Sequence, residues 1–386
     1  MDLTRICTWE MPTKLFFGPG CSRQAGELMK GLAASKVLLV TDRGVEGAGI
    51  LEGIFESLRT TGIGYVIFRD VEPNPSTETV EKAAQLYRAE GCDALVAVGG
   101  GSPMDAAKAA GALVTNPMDI MAMGGVGKLK KPIPPLLAIP TTCGTGSEVT
   151  PTAVITVLKE RRKMAIISPY NFAKIALIDP TLLTKLPSSI VASTGMDALC
   201  HAIESFINLN TSAITDSLNL QAISMIAQNL RPAVANGNLQ ALGNMLLAST
   251  ITGMAFANTG LAAVHPLSHP VTAHTGVPHG VANAILLPYI MEISMIGAME
   301  RFAQIAEAMG ENTAGLSMVE AAQLAIKAVR QLSHDVGIPE SFKAYGVNES
   351  HIPAMLDEAM QGRSFMMNPR RLDRNQVIEI FKAAMK

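Results

Sequence analysis

Through its first half the chain alternates short, unbroken apolar runs with segments whose apolar residues recur every three or four positions. The runs are 36–41, 64–68, 94–98 and 136–140, and the periodic segments include 76–90 and 103–114. An apolar run without alternation is how a strand covered on both faces reads, and such strands separated by helices form a parallel sheet. A second group, 153–158, 163–168 and 175–179, predicts further strands, the first two joined by the charged turn Lys159-Glu160-Arg161-Arg162. After Pro187 strand patterns nearly vanish and helical periodicity follows at 188–206, 213–229, 239–256, around His265, then at 299–310, 319–336, 351–361 and 375–385. Many of these open on Ser, Thr, Asp or Asn, side chains that cap free N–H groups. The expectation is an α/β domain over 1–182 and an all-helical domain over 183–386, parting near Asp179-Pro180-Thr181, where proline ends a strand ladder.

A length of 386 residues suits two such domains. A net charge of -2 with both signs scattered along the chain provides no basic face for nucleic acid and no polybasic membrane patch, so a small molecule is the expected partner. Residues 1–12 lack a signal pattern, and no stretch of about 18 apolar residues free of charge and proline is expected, which predicts a cytoplasmic protein. Cys7, Cys21, Cys92, Cys143 and Cys200 are odd in number and widely spaced, the pattern of reduced thiols.

Chemistry enters at Gly99-Gly100-Gly101-Ser102-Pro103, which follows the run 94–98. Three glycines between a buried strand and a helix, with Ser102 as expected N-cap and Pro103 at the first helical position, aim unpaired N–H groups and the helix dipole at an anion such as a pyrophosphate. The spacing is not G-x-G-x-x-G, and a structural turn would read the same way. A second polar loop, Thr141-Thr142-Cys143-Gly144-Thr145-Gly146-Ser147-Glu148, leaves the next predicted strand, where it would face the other side of a dinucleotide crevice. Asp42 follows the run 36–41, where a carboxylate could accept from the adenosine ribose and repel a 2′-phosphate, favouring NAD over NADP; its plainer role is a helix cap or turn residue.

Five of the seven histidines, His201, His265, His269, His274 and His279, lie in one stretch of the second half. Asp197 and His201 stand at i and i+4 in an apolar helical segment, so both leave one helix face and can bind one ion. His265 and His269 repeat that spacing, and His279 follows Pro278 in a rigid turn. A carboxylate among Ala198, Leu199, Ala202 and Ile203 calls for a cation or hydrogen bonds. Three imidazoles and one carboxylate suit Fe(II) or Zn(II) with an open position for a substrate oxygen. A surface Asp–His pair is the bland alternative, and without H-E-x-x-H there is no metalloprotease pattern.

The sequence resembles the iron-containing (group III) alcohol dehydrogenase family over essentially its whole length. The match runs from Phe16-Phe17-Gly18-Pro19-Gly20 through Glu72-Pro73-Asn74-Pro75 and the 99–105 loop to Met367-Asn368-Pro369-Arg370. Its most specific stretches are 258–270, holding His265-Pro266-Leu267-Ser268-His269-Pro270, and Pro278-His279-Gly280-Val281-Ala282-Asn283. The resemblance implies a Rossmann-like dinucleotide-binding domain, a helical domain, and a catalytic cleft between them. It implies one divalent metal, Fe(II) before Zn(II), on Asp197, His201, His265 and His279. NAD(H) contacts would come from Asp42, Asn74, Gly100, Gly101, Ser102, Thr141, Thr142, Thr145 and Lys163. Asp105 would lie near the nicotinamide, with His269 beside metal and nicotinamide as a non-ligating, proton-assisting histidine. A homodimer or larger homo-oligomer is also implied. Departures occur at Pro270-Val271-Thr272-Ala273-His274 and at Cys143, where alanine is common in the family.

The expected reaction interconverts a small primary alcohol or diol and its aldehyde by hydride transfer with NAD(H). A dehydroquinate-synthase-like lyase would carry Glu in place of Asp among its ligands, and a metallohydrolase would need no nicotinamide. Arg363, in Gln361-Gly362-Arg363-Ser364-Phe365, would favour an anionic substrate if it faced the site.

Overall fold

A computed structural model of the chain describes residues 6–386. The first five residues of the N-terminal segment read above fall outside the described part. The chain forms two compact units, one of residues 11–186 and one of 187–386 together with 6–10.

The first unit carries strands β1 (Lys14–Phe17), β2 (Lys36–Val40), β3 (Gly64–Phe68), β4 (Ala94–Gly99), β5 (Gly125–Val126), β6 (Leu136–Pro140), β7 (Thr152–Val157), β8 (Arg162–Ile167) and β9 (Ile175–Ile178). Its helices are α1 (Ala25–Gly31), α2 (Arg43–Gly47), α3 (Glu52–Thr60), α4 (Thr77–Ala89) and α5 (Gly101–Thr115). Six strands make one parallel sheet in the order β1-β9-β6-β4-β2-β3. Alternate residues serve opposite faces: Leu38, Val40, Leu95 and Ala97 join the apolar cluster of α4 and α5, while Val37, Leu39, Val96 and Val98 join that of α1 and α3. Covered on both faces, these strands have no polar side to show, which is why they read as continuous apolar runs. The order reverses between β2 and β4, the switch point at which open α/β sheets bind ligands beyond the strand ends. Thr41 bridges these strands there, its hydroxyl donating to Val98 O at 2.9 Å.

β7 and β8 pair antiparallel as the charged turn predicts, with Arg161 at φ 48° in the bend, and β5 adds a parallel edge to this smaller sheet. Asp179 stays with the first unit: its carboxylate accepts from Gly20 N (2.9 Å), Ser22 N (3.1 Å) and Thr181 N (3.0 Å). Hydroxyls of Ser22 and Thr181 donate to it as well, each at 2.6 Å.

The second unit is helical, with α6 (Ser188–Ile207), α7 (Ala213–Asn236), α8 (Leu239–Thr259), α9 (Val264–Thr275), α10 (His279–Ser294), α11 (Met299–Ala308), α12 (Met318–Asp335), α13 (Ile352–Ala359) and α14 (Arg374–Ala384). Ser212, Asn238, Ser317 and Asp373 cap four of them with side-chain oxygens. α7 continues through Pro232 and stops at Gly237, whose φ of 56° suits only a residue tolerant of the left-handed region. α6 packs on α7, α8 and α10, and α9 on α10 and α13. Two segments, Leu239–Thr259 and His279–Gly297, are long and apolar enough to cross a membrane by length and composition, and 239–259 contains neither charge nor proline, which corrects the expectation that no such stretch exists. In each, 61% of the apolar window is buried inside the protein, as in core helices.

Candidate nucleotide cradle and metal centre

In the first unit the glycine turn closes β4. Gly99 has φ 150°, and a Cβ there would lie 2.5 Å from Pro103 Cγ, so a side chain is excluded. A Cβ on Gly100 would approach Thr142 Cγ2 to 3.2 Å, and one on Gly101 would approach Thr145 Cγ2 to 2.9 Å. The two polar loops therefore touch, and Thr141 N donates to Gly99 O at 2.9 Å. α5 begins at Gly101 with Gly100 as cap and no side-chain capping bond, which corrects the expectation of Ser102 as N-cap and of Pro103 as the first helical residue. Ser102 lies inside the first turn because its hydroxyl has another task, accepting the backbone N–H of Asn74 at 3.1 Å. That bond draws Asn74 to the helix start; its φ of 60° is one that asparagine tolerates, and its O accepts the Thr156 hydroxyl at 3.1 Å.

Asp42 follows β2 across the switch point and caps α2, its Oδ1 accepting Val45 N at 2.9 Å. The plainer role is thus real, and it engages Oδ1. Asp105 has both oxygens engaged: Ser147 Oγ donates at 2.8 Å and Val154 N at 3.0 Å. Burial pushes its carboxyl up, opposed by the charges of Lys108 and Lys163 and by these bonds. Lys163 lies on β8 opposite Thr156. Lys108, which the sequence reading passed over, is fully buried and donates to Ser147 O, Thr150 O (2.9 Å) and Thr152 O (3.0 Å). Burial draws its ammonium down to about 8, while Asp105 and Glu148 hold it up. Lys108 and Asp105 together tie α5 to the loop after β6. Cys143, in that loop, is buried and in no disulfide.

In the second unit, donor atoms of Asp197, His265 and His279 all lie within 4.8 Å of one another. Asp197 comes from α6, where apolar neighbours bury it to 3% exposure. His265 comes from the first turn of α9, and His279 opens α10 instead of sitting in an isolated turn, with extended Pro278 before it. His201, one turn after Asp197, edges this set with Nδ1 4.0 Å from Asp197 Oδ2, stacked between Phe256 (4.7 Å) and His265 (4.6 Å). The His269 ring is 5.8 Å from that of His265 and 5.3 Å from that of His279. His274 points elsewhere, to Glu358 Oε2 at 3.1 Å. The Arg363 side chain lies outside the described residues.

Asn283, one turn into α10 and fully buried, tests whether this set fits a cation. Its amide nitrogen is 2.6 Å from Asp197 Oδ1 and 3.2 Å from both His265 Nε2 and His279 Nε2. Two amide hydrogens face three lone pairs, and Asn283 Oδ1 is buried with no hydrogen-bond partner. Convergent lone pairs around one positively polarised atom are what a metal ion needs, and a carboxylate with imidazoles is a hard-to-borderline donor set. Behind them lies Glu204, wholly buried and in contact with His265 Nδ1. The sequence reading missed both Asn283 and Glu204; the one signal available was a second carboxylate, Glu204, on the same largely apolar helix as Asp197.

A doubly covered parallel sheet with a glycine turn at its switch point defines a nucleotide-binding fold, and comparison with known proteins narrows the class. Residues 12–180 match the family described as Iron-containing alcohol dehydrogenase, and residues 191–385 match Fe-containing alcohol dehydrogenase family, C-terminal. The chain belongs to the iron-containing alcohol dehydrogenase family. It is 42% identical over 383 residues to a 1,3-propanediol dehydrogenase of Citrobacter freundii, covering 98% of this chain and 99% of that one. It is 36% identical over 376 residues to an NAD-dependent methanol dehydrogenase of Bacillus methanolicus, covering 97% and 99%. A solved alcohol dehydrogenase from Oenococcus oeni superposes with a TM-score of 0.95 at 42% identity, covering 98% of this chain and all of that one. Membership in an alcohol and aldehyde oxidoreductase family sets aside the lyase and hydrolase alternatives.

Proposed function

We propose that the protein is an NAD-linked, divalent-metal alcohol dehydrogenase and aldehyde reductase acting on a small primary alcohol or diol. The observation that carries this reading is the convergence of Asp197, His265 and His279, with His201 at their edge, on one buried point. When bound, the cation supplies Lewis acidity toward the substrate oxygen and the nicotinamide gives or accepts the hydride. Asp197, His201, His265 and His279 would hold the cation, with iron the metal named by the family. The N–H groups of Gly100, Gly101 and Ser102 would cradle the pyrophosphate, Thr141, Thr142 and Thr145 would line its other side, and Asn74 and Lys163 would add polar contacts. Asp42 would accept from the adenosine ribose. Asp105 keeps the loop after β6 in place near the nicotinamide, and an imidazole nitrogen of His269 would hold or pass the proton that the aldehyde gains on reduction.

A cytoplasmic setting agrees with five cysteines that form no disulfide, and a homo-oligomer is the assembly we expect. The test of the ligand assignment is His265→Ala. Metal content and turnover should both be lost while NADH binding persists; substantial turnover at normal metal content would refute it.

A further inference from the structure

The deepest charged group near the candidate ligands is Glu204 of α6, at 0% exposure. Each of its oxygens has a separate task. Oε1 accepts the backbone N–H groups of Ala262 (3.1 Å) and Val264 (2.6 Å), and so caps α9, whose own N-cap residue Ala263 offers no side-chain bond. Oε2 contacts His265 Nδ1 and accepts from Cys200 Sγ at 3.9 Å.

A carboxylate only accepts, so His265 Nδ1 must carry the hydrogen, leaving the lone pair on Nε2. The far side of the ring is compatible with the same tautomer: the Asn283 amide nitrogen, fixed as donor by Asp197 Oδ1 at 2.6 Å, also faces His265 Nε2 at 3.2 Å. Among the described residues no Lys or Arg forms an ion pair with Glu204 or Asp197. Two buried carboxylates together match the charge of one divalent cation, which accounts for their survival in an apolar helix.

We infer that Glu204 is the positioning residue of the metal centre, holding His265 in the Nδ1–H tautomer and fixing the turn that carries it. The inference rests on the reading of Asp197, His265 and His279 as metal ligands. Glu204→Gln separates the two tasks. The new carboxamide oxygen can still accept from the Ala262 and Val264 amides, but its NH2 would face Nδ1 and turn the imidazole to the Nε2–H tautomer, blocking its lone pair.

The experiment titrates Co(II) into chelator-stripped parent and Glu204→Gln proteins, following the ligand-field spectrum, with NADH binding measured in parallel. The variant should bind Co(II) about 10–100-fold more weakly, as loss of such partners does elsewhere, with NADH affinity unchanged. Equal Co(II) affinity in parent and variant overturns the inference alone; a parent that binds no cation overturns the ligand reading and the inference with it. Should the variant fail to fold, nitrogen-15 spectra of histidine-labelled, metal-free parent decide the matter, with His265 assigned by its loss in His265→Asn. An Nδ1–H signature upholds the inference and an Nε2–H signature overturns it.

Discussion

Replacing Gly280 with alanine should weaken metal binding without touching a ligand. Gly280 follows His279 in the first turn of α10, and a Cβ there would lie 2.2 Å from Ser193 O and 2.8 Å from Ser193 C on α6, and 3.4 Å from Asp197 Cβ. Real contacts of this kind stay beyond 3.0 Å, so α10 and α6 must part by at least 0.8 Å (3.0 − 2.2). His279 rides on one helix and Asp197 on the other, their facing atoms 4.0 Å apart. Metal–ligand distances tolerate about 0.2 Å, so the shift is several times what the site can absorb. Affinity for Co(II) or Zn(II) should fall at least about tenfold, or about 1.4 kcal/mol. Helix propensity alone would have alanine stabilise α10 by about 1 kcal/mol, whereas overpacking costs about 1–3 kcal/mol. The metal-free protein should therefore melt no higher than the parent, and up to several degrees lower. Metal titration and thermal unfolding of the stripped variant measure both effects. Parent-like affinity together with a raised melting temperature would refute the argument that a glycine contact sets the α6–α10 distance.

Two other outcomes follow from the first unit. Asp42→Ser keeps an oxygen to cap α2 but removes the charge, so stability should change little while the preference for NADH over NADPH falls about tenfold, the effect of losing roughly 1.4 kcal/mol of repulsion; an unchanged ratio of kcat/KM values would end the specificity argument. The Asp179 carboxyl is pushed up by burial but pulled further down, below the usual range, by hydrogen bonds from Ser22, Thr181 and Gly20. Its folded pKa being the lower, its stabilisation is complete above the unfolded value of about 3.9 and is lost as pH falls through the folded one. Asp179→Asn should cost about 1–3 kcal/mol at neutral pH and flatten the acid limb of the denaturation profile, whereas an acid limb identical to the parent's would exclude Asp179 as a source of that loss.

The parts legible in the sequence are those whose burial is simple. β2, β3, β4 and β6 read as apolar runs because helices cover both faces, and helices such as α12, with one apolar stripe and a Ser317 capping box, announce both phase and start. β1 was missed because only four residues, half exposed, lie at the sheet edge. α10 was missed for the opposite reason: it is buried along most of its length and contains Pro288, so periodicity vanishes. At the site, the histidines and Asp197 were legible by residue type and i, i+4 spacing. Glu204 and Asn283 were not, because their meaning lies in contacts 58 to 61 and 86 residues away in the chain. Ser102 was misassigned as a cap because its true partner, Asn74 N, is 28 residues upstream.

The most direct test of the central claim is NADH oxidation by chelator-stripped protein, with and without added Fe(II) or Zn(II), over a panel of short aldehydes and hydroxyaldehydes at neutral pH. The account predicts no turnover in stripped protein and turnover restored by metal on at least one member of the panel. Full activity without metal, or none on any aldehyde from protein that has rebound both metal and NADH, would contradict it.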